Sequence, residues 1–120
     1  MPIVNVQTTA KFDAASKKEL MEFIAQQVCD NTSTLLKNIY VYINEFDKEN
    51  VRKTAPTVLI DWTAMPDRTD EVKRKIMVAV TDKLAEMTGE VKDEIVIIFN
   101  DIPLKNASLG GVTRYDDPDK

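Results

Sequence analysis

The chain is written nearly twice over, and this duplication limits its possible folds more than any other feature. Without gaps, at an offset of 56 residues, Lys18 falls on Arg74, Leu20 on Ile76, Ile24 on Val80, Val28 on Leu84 and Thr32 on Thr88. Further along, Ile39 falls on Ile95, Val41 on Ile97, and Asn44-Glu45-Phe46 on Asn100-Asp101-Ile102. A length of 120 residues suits one small domain. The expected organisation is a single domain of two repeats, residues 2–46 and 57–102, with a link at 47–56 and a C-terminal tail at 103–120.

Each repeat reads strand, helix, strand. Ile3 to Thr8 alternates apolar and polar residues, the period of a half-buried strand. Asp13 can cap a helix in which Leu20, Phe23, Ile24 and Val28 share one face. Asn38 to Asn44 forms the next strand, with Ile39, Val41 and Ile43 on one side. In the second unit Thr57 to Thr63 is the strand and Asp67 or Thr69 the cap. Val72, Ile76, Val80, Leu84 and Met87 make the apolar helix face, and Gly89 suits a left-handed helix end. Ile95 to Phe99 is a nearly continuous apolar strand. Asp47 to Ala55 is charged and reads as a solvated loop. Gly110-Gly111 suits a tight hairpin, and the acidic end from Asp116 to Lys120 reads as frayed.

Right-handed crossovers make the two strands of each unit parallel. The expected fold class is therefore α+β: tandem β-α-β units forming a four-stranded sheet with two helices on one face. Ile3, Ile39, Ile95 and their neighbours exceed what two helices can cover. Homo-oligomerisation would cover the rest.

Several function classes are excluded by composition. A net charge of −4 argues against a nucleic-acid partner, which needs a basic footprint. No apolar stretch approaches a membrane span, and no N-terminal segment reads as a secretory signal. The single cysteine, Cys29, excludes an intrachain disulfide and fits a cytoplasmic protein. There is no histidine, which removes His-dependent nucleophile systems and imidazole metal sites, so no metal is expected. Acid–base chemistry must come from carboxylates, lysine, tyrosine or the terminal amine.

That last possibility draws attention to Pro2. Initiator methionine is commonly trimmed before a small residue. Trimming would leave Pro2 as a free secondary amine, held in place by the strand behind it. A neutral amine in an apolar pocket can take and return a proton. Without trimming, Pro2 merely starts a strand, where its missing N–H costs nothing.

Taken together, these residues resemble the tautomerase superfamily, whose founding member is 4-oxalocrotonate tautomerase. The resemblance rests on Met1-Pro2-Ile3-Val4, on Phe12-Asp13 and Arg68-Thr69-Asp70-Glu71-Val72-Lys73 at the two helix starts, and on Asn100-Asp101-Ile102 through Leu109-Gly110-Gly111. It implies a fused, two-unit member that assembles as a homotrimer. It implies Pro2 and Arg68 as catalytic residues, with Arg68 also binding a substrate carboxylate. Tyr40 and Lys11 are further candidates for substrate binding, Tyr40 as a donor and Lys11 as a positive charge beside Phe12. The implied reaction is a cofactor-independent keto–enol or double-bond tautomerisation of a small 2-oxo or enol carboxylic acid.

The chain departs from the family pattern at several points. In the second unit the equivalent of Pro2 at the constant offset is Val58, and Pro56 sits two residues earlier; either nitrogen is an amide without a basic lone pair, so at most one proline-based site per chain is expected. The family's second arginine falls on Tyr40 and Val96, and its C-terminal aromatic on Val51 and Ala107. The histidine, tyrosine and glutamate set of cis-3-chloroacrylic acid dehalogenase has no match. Lys37 and Asn38 stand where malonate semialdehyde decarboxylase carries its aspartate. Proton transfer is thus favoured over hydration or decarboxylation. Two alternatives stay open at the level of sequence: a non-catalytic trimer of the same fold, and a ferredoxin-like regulatory domain that binds a small molecule. Interleaved strand order would mark the latter.

Overall fold

A computed structural model describes residues 1–119; Lys120, the end of the expected tail, lies outside them. The chain runs β1 (Ile3–Thr8), α1 (Ala14–Asn31), β2 (Tyr40–Glu45), β3 (Thr57–Thr63), α2 (Asp70–Thr88) and β4 (Val96–Ile102). A short hairpin follows, β5 (Ser108–Leu109) and β6 (Val112–Thr113). Both helices, and the short 3-10 turns at 36–38 and 92–94, recur at the offset of 56 residues seen in the sequence. No helix among the described residues is long and apolar enough to cross a membrane.

Local chemistry explains where the helices begin and end. Asp13 accepts a hydrogen bond from the Ser16 N–H at 2.7 Å, which starts α1. Thr69 does the same for Val72 at 3.2 Å and starts α2. Asp67, the other candidate cap, is used elsewhere. At the end of α2, Gly89 turns left-handed with φ 76° and donates its N–H to the Ala85 carbonyl. α1 stops without a glycine. Thr32 turns to extended backbone, and its hydroxyl donates to the Val28 carbonyl at 2.7 Å.

The four long strands form one sheet in the order β2-β1-β3-β4. β1 pairs in parallel with β2, and β3 in parallel with β4. The two units meet through β1 and β3, which run antiparallel with Ile3 opposite Asp61 and Gln7 opposite Thr57. Each unit keeps its own strands together. The order is therefore not interleaved, and the ferredoxin-like alternative falls.

The core repeats as the sequence does. Val4, Val6, Leu20, Ile24 and Val28 from the first unit meet Val58, Ile60, Trp62, Ile76, Val80 and Leu84 from the second, all fully or almost fully buried. Two expectations need correction. Ile39 and Ile95 pack against this core, not on the opposite sheet face. The face left open instead carries Ile3, Tyr40, Tyr42, Leu59, Val96 and Ile98, each exposed by 38–51%. Ile39 and Ile95 stand one residue before the strands begin, so the alternation puts their successors, Tyr40 and Val96, outward. The acidic tail is also better held than its composition suggests. Arg114 donates to the carbonyls of Asp117 and Pro118, and the Thr113 hydroxyl donates to Asp116.

Ile24 is fully buried where helix and sheet meet, whereas Val78 on the outer side of α2 is 62% exposed. Ile24→Ala should lower unfolding free energy by roughly 2–5 kcal/mol. Val78→Ala should change it by less than about 0.5 kcal/mol. Urea denaturation of the two variants checks this contrast.

Candidate active site

Because β1 and β3 are antiparallel, the N-terminal end of β1 lies beside the C-terminal end of β3. The loop that leaves β3 for α2 therefore reaches the start of the chain. A cavity of about 260 Å³ opens there, with Met1, Thr34, Asn38, Met65, Arg68 and Arg114 among its lining residues. It falls just short of the roughly 300–1,000 Å³ typical of drug-sized ligands, so it suits a small molecule.

Pro2 is almost completely buried. Its carbonyl accepts the Tyr40 N–H at 3.0 Å, which anchors the chain start to β2. Its counterpart by strand register is Pro56, also buried, whose carbonyl accepts the Val96 N–H at 3.3 Å; Val58, the residue at the constant offset, lies two positions further on. Pro2 therefore occupies a buried position, and the sequence-based picture of a simple strand start does not hold. Met1, the residue before it, lines the cavity. The amine in the structure is that of Met1; in a trimmed chain the Pro2 ring nitrogen becomes the amine instead. Burial, then the charges of Arg68 and Arg114, lower the Met1 amine from 8.0 to about 6. The Met1 amine is thus largely neutral at pH 7.

Arg68 is held on several sides. Its side chain is only 4% exposed. Nη1 donates to Asp67 Oδ1 at 2.7 Å and Nη2 to Thr34 Oγ1 at 3.0 Å. The guanidinium lies over the Trp62 ring, 5.1 Å from its centroid. Its Nε–H is buried with no protein acceptor among the described residues. Trp62 is fixed in turn: it stacks against Phe99 at 4.7 Å and donates from Nε1 to Asp101 at 2.7 Å. Lys73 holds the other oxygen of Asp101 at 2.6 Å and keeps that carboxyl below its usual range, with Trp62 adding to the effect against burial. Burial would raise Asp67, but hydrogen bonds from the Ser33 hydroxyl and backbone N–H, and from Arg68, outweigh it and hold Asp67 at about 2. Asp67 thereby ties the α1–β2 loop to the β3–α2 loop.

The sequence candidates separate. Arg68 lines the cavity with Met1, the residue before Pro2. Tyr40 joins them, since it lines a small adjoining recess with Met1, Asn38, Leu109 and Arg114. Lys11 does not. It follows the other end of β1 and pairs with Asp47 at 3.3 Å, so the antiparallel sheet carries it away from Pro2. Lys53, in the link between the units, pairs with Glu94 and lines a separate cavity with Gln7 and Thr57. Met65 also lines the site. Arg114 was missed. It stands outside both repeats, three residues beyond Gly111, and only the hairpin turn brings it back to the chain start.

Comparison with known proteins agrees with this geometry. Residues 56–114 match the family model described as tautomerase enzyme. The second unit of the chain belongs to the tautomerase family. It carries the family's sequence pattern, and the whole chain has the fold of two-unit, fused members. A native fused 4-OT superposes with a TM-score of 0.85 at 20% identity, covering 97% of this chain and 98% of that one. A fused 4-OT solved as an asymmetric trimer gives 0.84 at 17% identity, covering 94% and 96%. Macrophage migration inhibitory factor from Toxoplasma gondii gives 0.75 at 16% identity, covering 92% and 97%. By sequence alone, no curated protein matches.

The depressed amine supplies a direct test. In protein that retains Met1, the N-terminal amine should titrate near 6 rather than 8.0. Arg68→Ala should raise that value, because a nearby positive charge that disfavours the ammonium form is gone. The pH dependence of N-terminal acylation, read by mass spectrometry, measures both.

Proposed function

We propose that this protein is a cofactor-independent tautomerase of small 2-oxo or enol carboxylic acids, with the Pro2 nitrogen as its base once Met1 is removed. The observation that carries the reading is the placing of the chain start. The Met1 amine shares a small cavity with two arginines and is largely neutral at pH 7. Neutrality is what a base needs. A neutral Pro2 takes a proton from an enol hydroxyl or from carbon next to a carbonyl, then returns it to another atom of the same substrate. Arg68 binds the carboxylate and offsets the negative charge of the enolate. Its buried Nε–H and its stacked, immobile guanidinium suit that role, because little ordering remains to be done when substrate binds. Tyr40 borders the recess as a further donor. Neither a metal nor an organic cofactor enters this chemistry.

The proposed assembly is a homotrimer of chains, each a single domain of two repeats. The open sheet face supports it, since Tyr40, Tyr42, Leu59, Val96 and Ile98 form a band of large apolar groups that a monomer would leave wet. Two of the similar structures are fused 4-OT trimers. Sedimentation should return three times the mass of one chain at micromolar concentration, and a folded monomer would refute the assembly.

Turnover of an enol substrate such as phenylenolpyruvate by Met1-free protein is the functional test. Activity should rise with pH as the base loses its proton, at a midpoint below the ordinary value of a free proline amine, because burial and nearby arginines disfavour its charged form. Pro2→Ala should reduce turnover sharply. It should also cost about 1–2 kcal/mol of stability, since two buried methylenes are lost. Arg68→Ala should lower kcat/KM by roughly 10²–10³-fold. Arg68→Lys should also be impaired, because an ammonium cannot form a planar two-pronged pair. Arg74→Ala, on the outer side of α2, is the control. If Arg68→Ala behaves like Arg74→Ala, the non-catalytic alternative becomes the better reading.

A further inference from the structure

We infer that Asp67 is a positioning residue of this cavity: its carboxylate turns the Arg68 guanidinium toward an anionic ligand and locks the loop between α1 and β2 beside it. The inference rests on the reading of Arg68 as an anion-binding group, but not on turnover.

The first ground is that the fold itself does not call for an acid here. Thr69 caps α2, and the first unit has Lys11 at the matching position. Asp67 instead spends both oxygens on two different loops. Oδ1 accepts from Arg68 Nη1 at 2.7 Å. Oδ2 accepts both the N–H and the hydroxyl of Ser33, each at 2.7 Å. Thr34, the next residue of that loop, accepts from Arg68 Nη2 at 3.0 Å. Ser33, Thr34 and Asn38 from one loop, and Met65 and Arg68 from the other, line the cavity. Asp67 therefore joins two parts of its wall.

The second ground is how little of Arg68 can be reached. Its side chain is 4% exposed, so a small rotation would hide its remaining donors. Contact with the Trp62 ring sets the height of the guanidinium but leaves it free to turn. Hydrogen bonds run in the guanidinium plane, so Asp67 and Thr34 fix that turn. They engage one N–H on each terminal nitrogen, and the Nε–H has no protein acceptor among the described residues. A ligand carboxylate has these remaining N–H groups to bond.

The third ground is that both oxygens are required. Burial would raise Asp67, but bonds from Ser33 and Arg68 hold it at about 2, so it stays charged wherever a carboxylate ligand is an anion. An amide could not do the same. Asparagine has one acceptor oxygen, so its own N–H groups would meet the donors of either Arg68 or Ser33.

Calorimetric titration of Met1-free protein with hexanoate and its neutral counterpart hexanamide tests the inference without any turnover. The wild type should bind hexanoate at least about tenfold more tightly, the worth of one charge-assisted contact. Asp67→Asn should cut that preference to less than about threefold, because one charge-assisted contact is no longer aimed. Hexanamide affinity should change by less than about threefold in the same variant, since only contacts to the charged group are lost. Placed in Arg68→Ala protein, Asp67→Asn should weaken hexanoate no further, because Asp67 acts through Arg68. A wild type without the preference, or an Asp67→Asn protein that keeps it, would overturn the inference. Tighter hexanoate binding in Asp67→Asn would also overturn it, because that marks Asp67 as a counter-charge alone. So would an equal loss for both probes, which marks Asp67 as structural. Enol turnover together with a preference kept in Asp67→Asn would leave the tautomerase reading intact and remove this one. A preference lost in Asp67→Asn, where the wild type shows no turnover, would do the reverse.

Discussion

The pairing of β1 with β3 is the constraint on which the rest of the molecule depends. Within each unit the parallel strands are joined through a helix. The antiparallel ladder from Ile3–Asp61 to Gln7–Thr57 is what makes one sheet of two halves. It also sets the ends of the molecule. The start of β1 is placed beside the exit of β3, and the start of β3 beside the exit of β1. One such end carries the terminal amine, Arg68 and Arg114; the other carries Val58, Phe12 and the pair of Lys11 with Asp47. Duplicated architecture thus yields two similar places with unlike chemistry. Only the chain's own beginning can supply a basic nitrogen, since the nitrogen of Pro56, the counterpart by register, is an amide within a peptide bond.

Around the amine, buried groups hold one another in a chain. Lys73 fixes Asp101, Asp101 fixes Trp62, and Trp62 carries the Arg68 guanidinium on its face. Asp67 closes the circuit by binding Arg68 and both donors of Ser33. Each link removes motion from Arg68, so its donors are aimed before any ligand arrives. The cost of burying a guanidinium is offset by Asp67, Thr34 and the aromatic face together. The same burial disfavours a charge on the terminal amine, which sits among these groups and near two cations.

Much of this was legible in the sequence, and the reason is local. Cap residues, helical spacing and strand alternation act over a few residues, so Asp13, Thr69, Gly89, the two helices and the strands Ile3–Thr8 and Thr57–Thr63 could be read directly. The offset of 56 residues added long-range information, because matched core positions such as Ile24 and Val80 must lie in matched environments. Arg68 was legible through its place before the second helix and through family resemblance. Arg114 was not. It has no counterpart at the repeat offset and stands in a short acidic tail, and no periodic signal marks it.

The sequence by itself determined the repeat, the secondary structure and the class of core, since these follow from residue type and spacing along the chain. Which residues face each other across the sheet was left to tertiary structure. Lys11 and Arg68 follow equivalent strands and read alike in the sequence, yet antiparallel pairing sends one to each end. Pro2 reads as a simple strand start, yet the fold buries it, and strand register matches it with Pro56 rather than with Val58 at the constant offset. The lowered basicity of the terminal amine likewise depends on burial and on charges that lie 66 and more residues away in the chain. Chain spacing carries no information about such distances, because they are set by the register of β1 against β3 and by the turn at Gly110-Gly111.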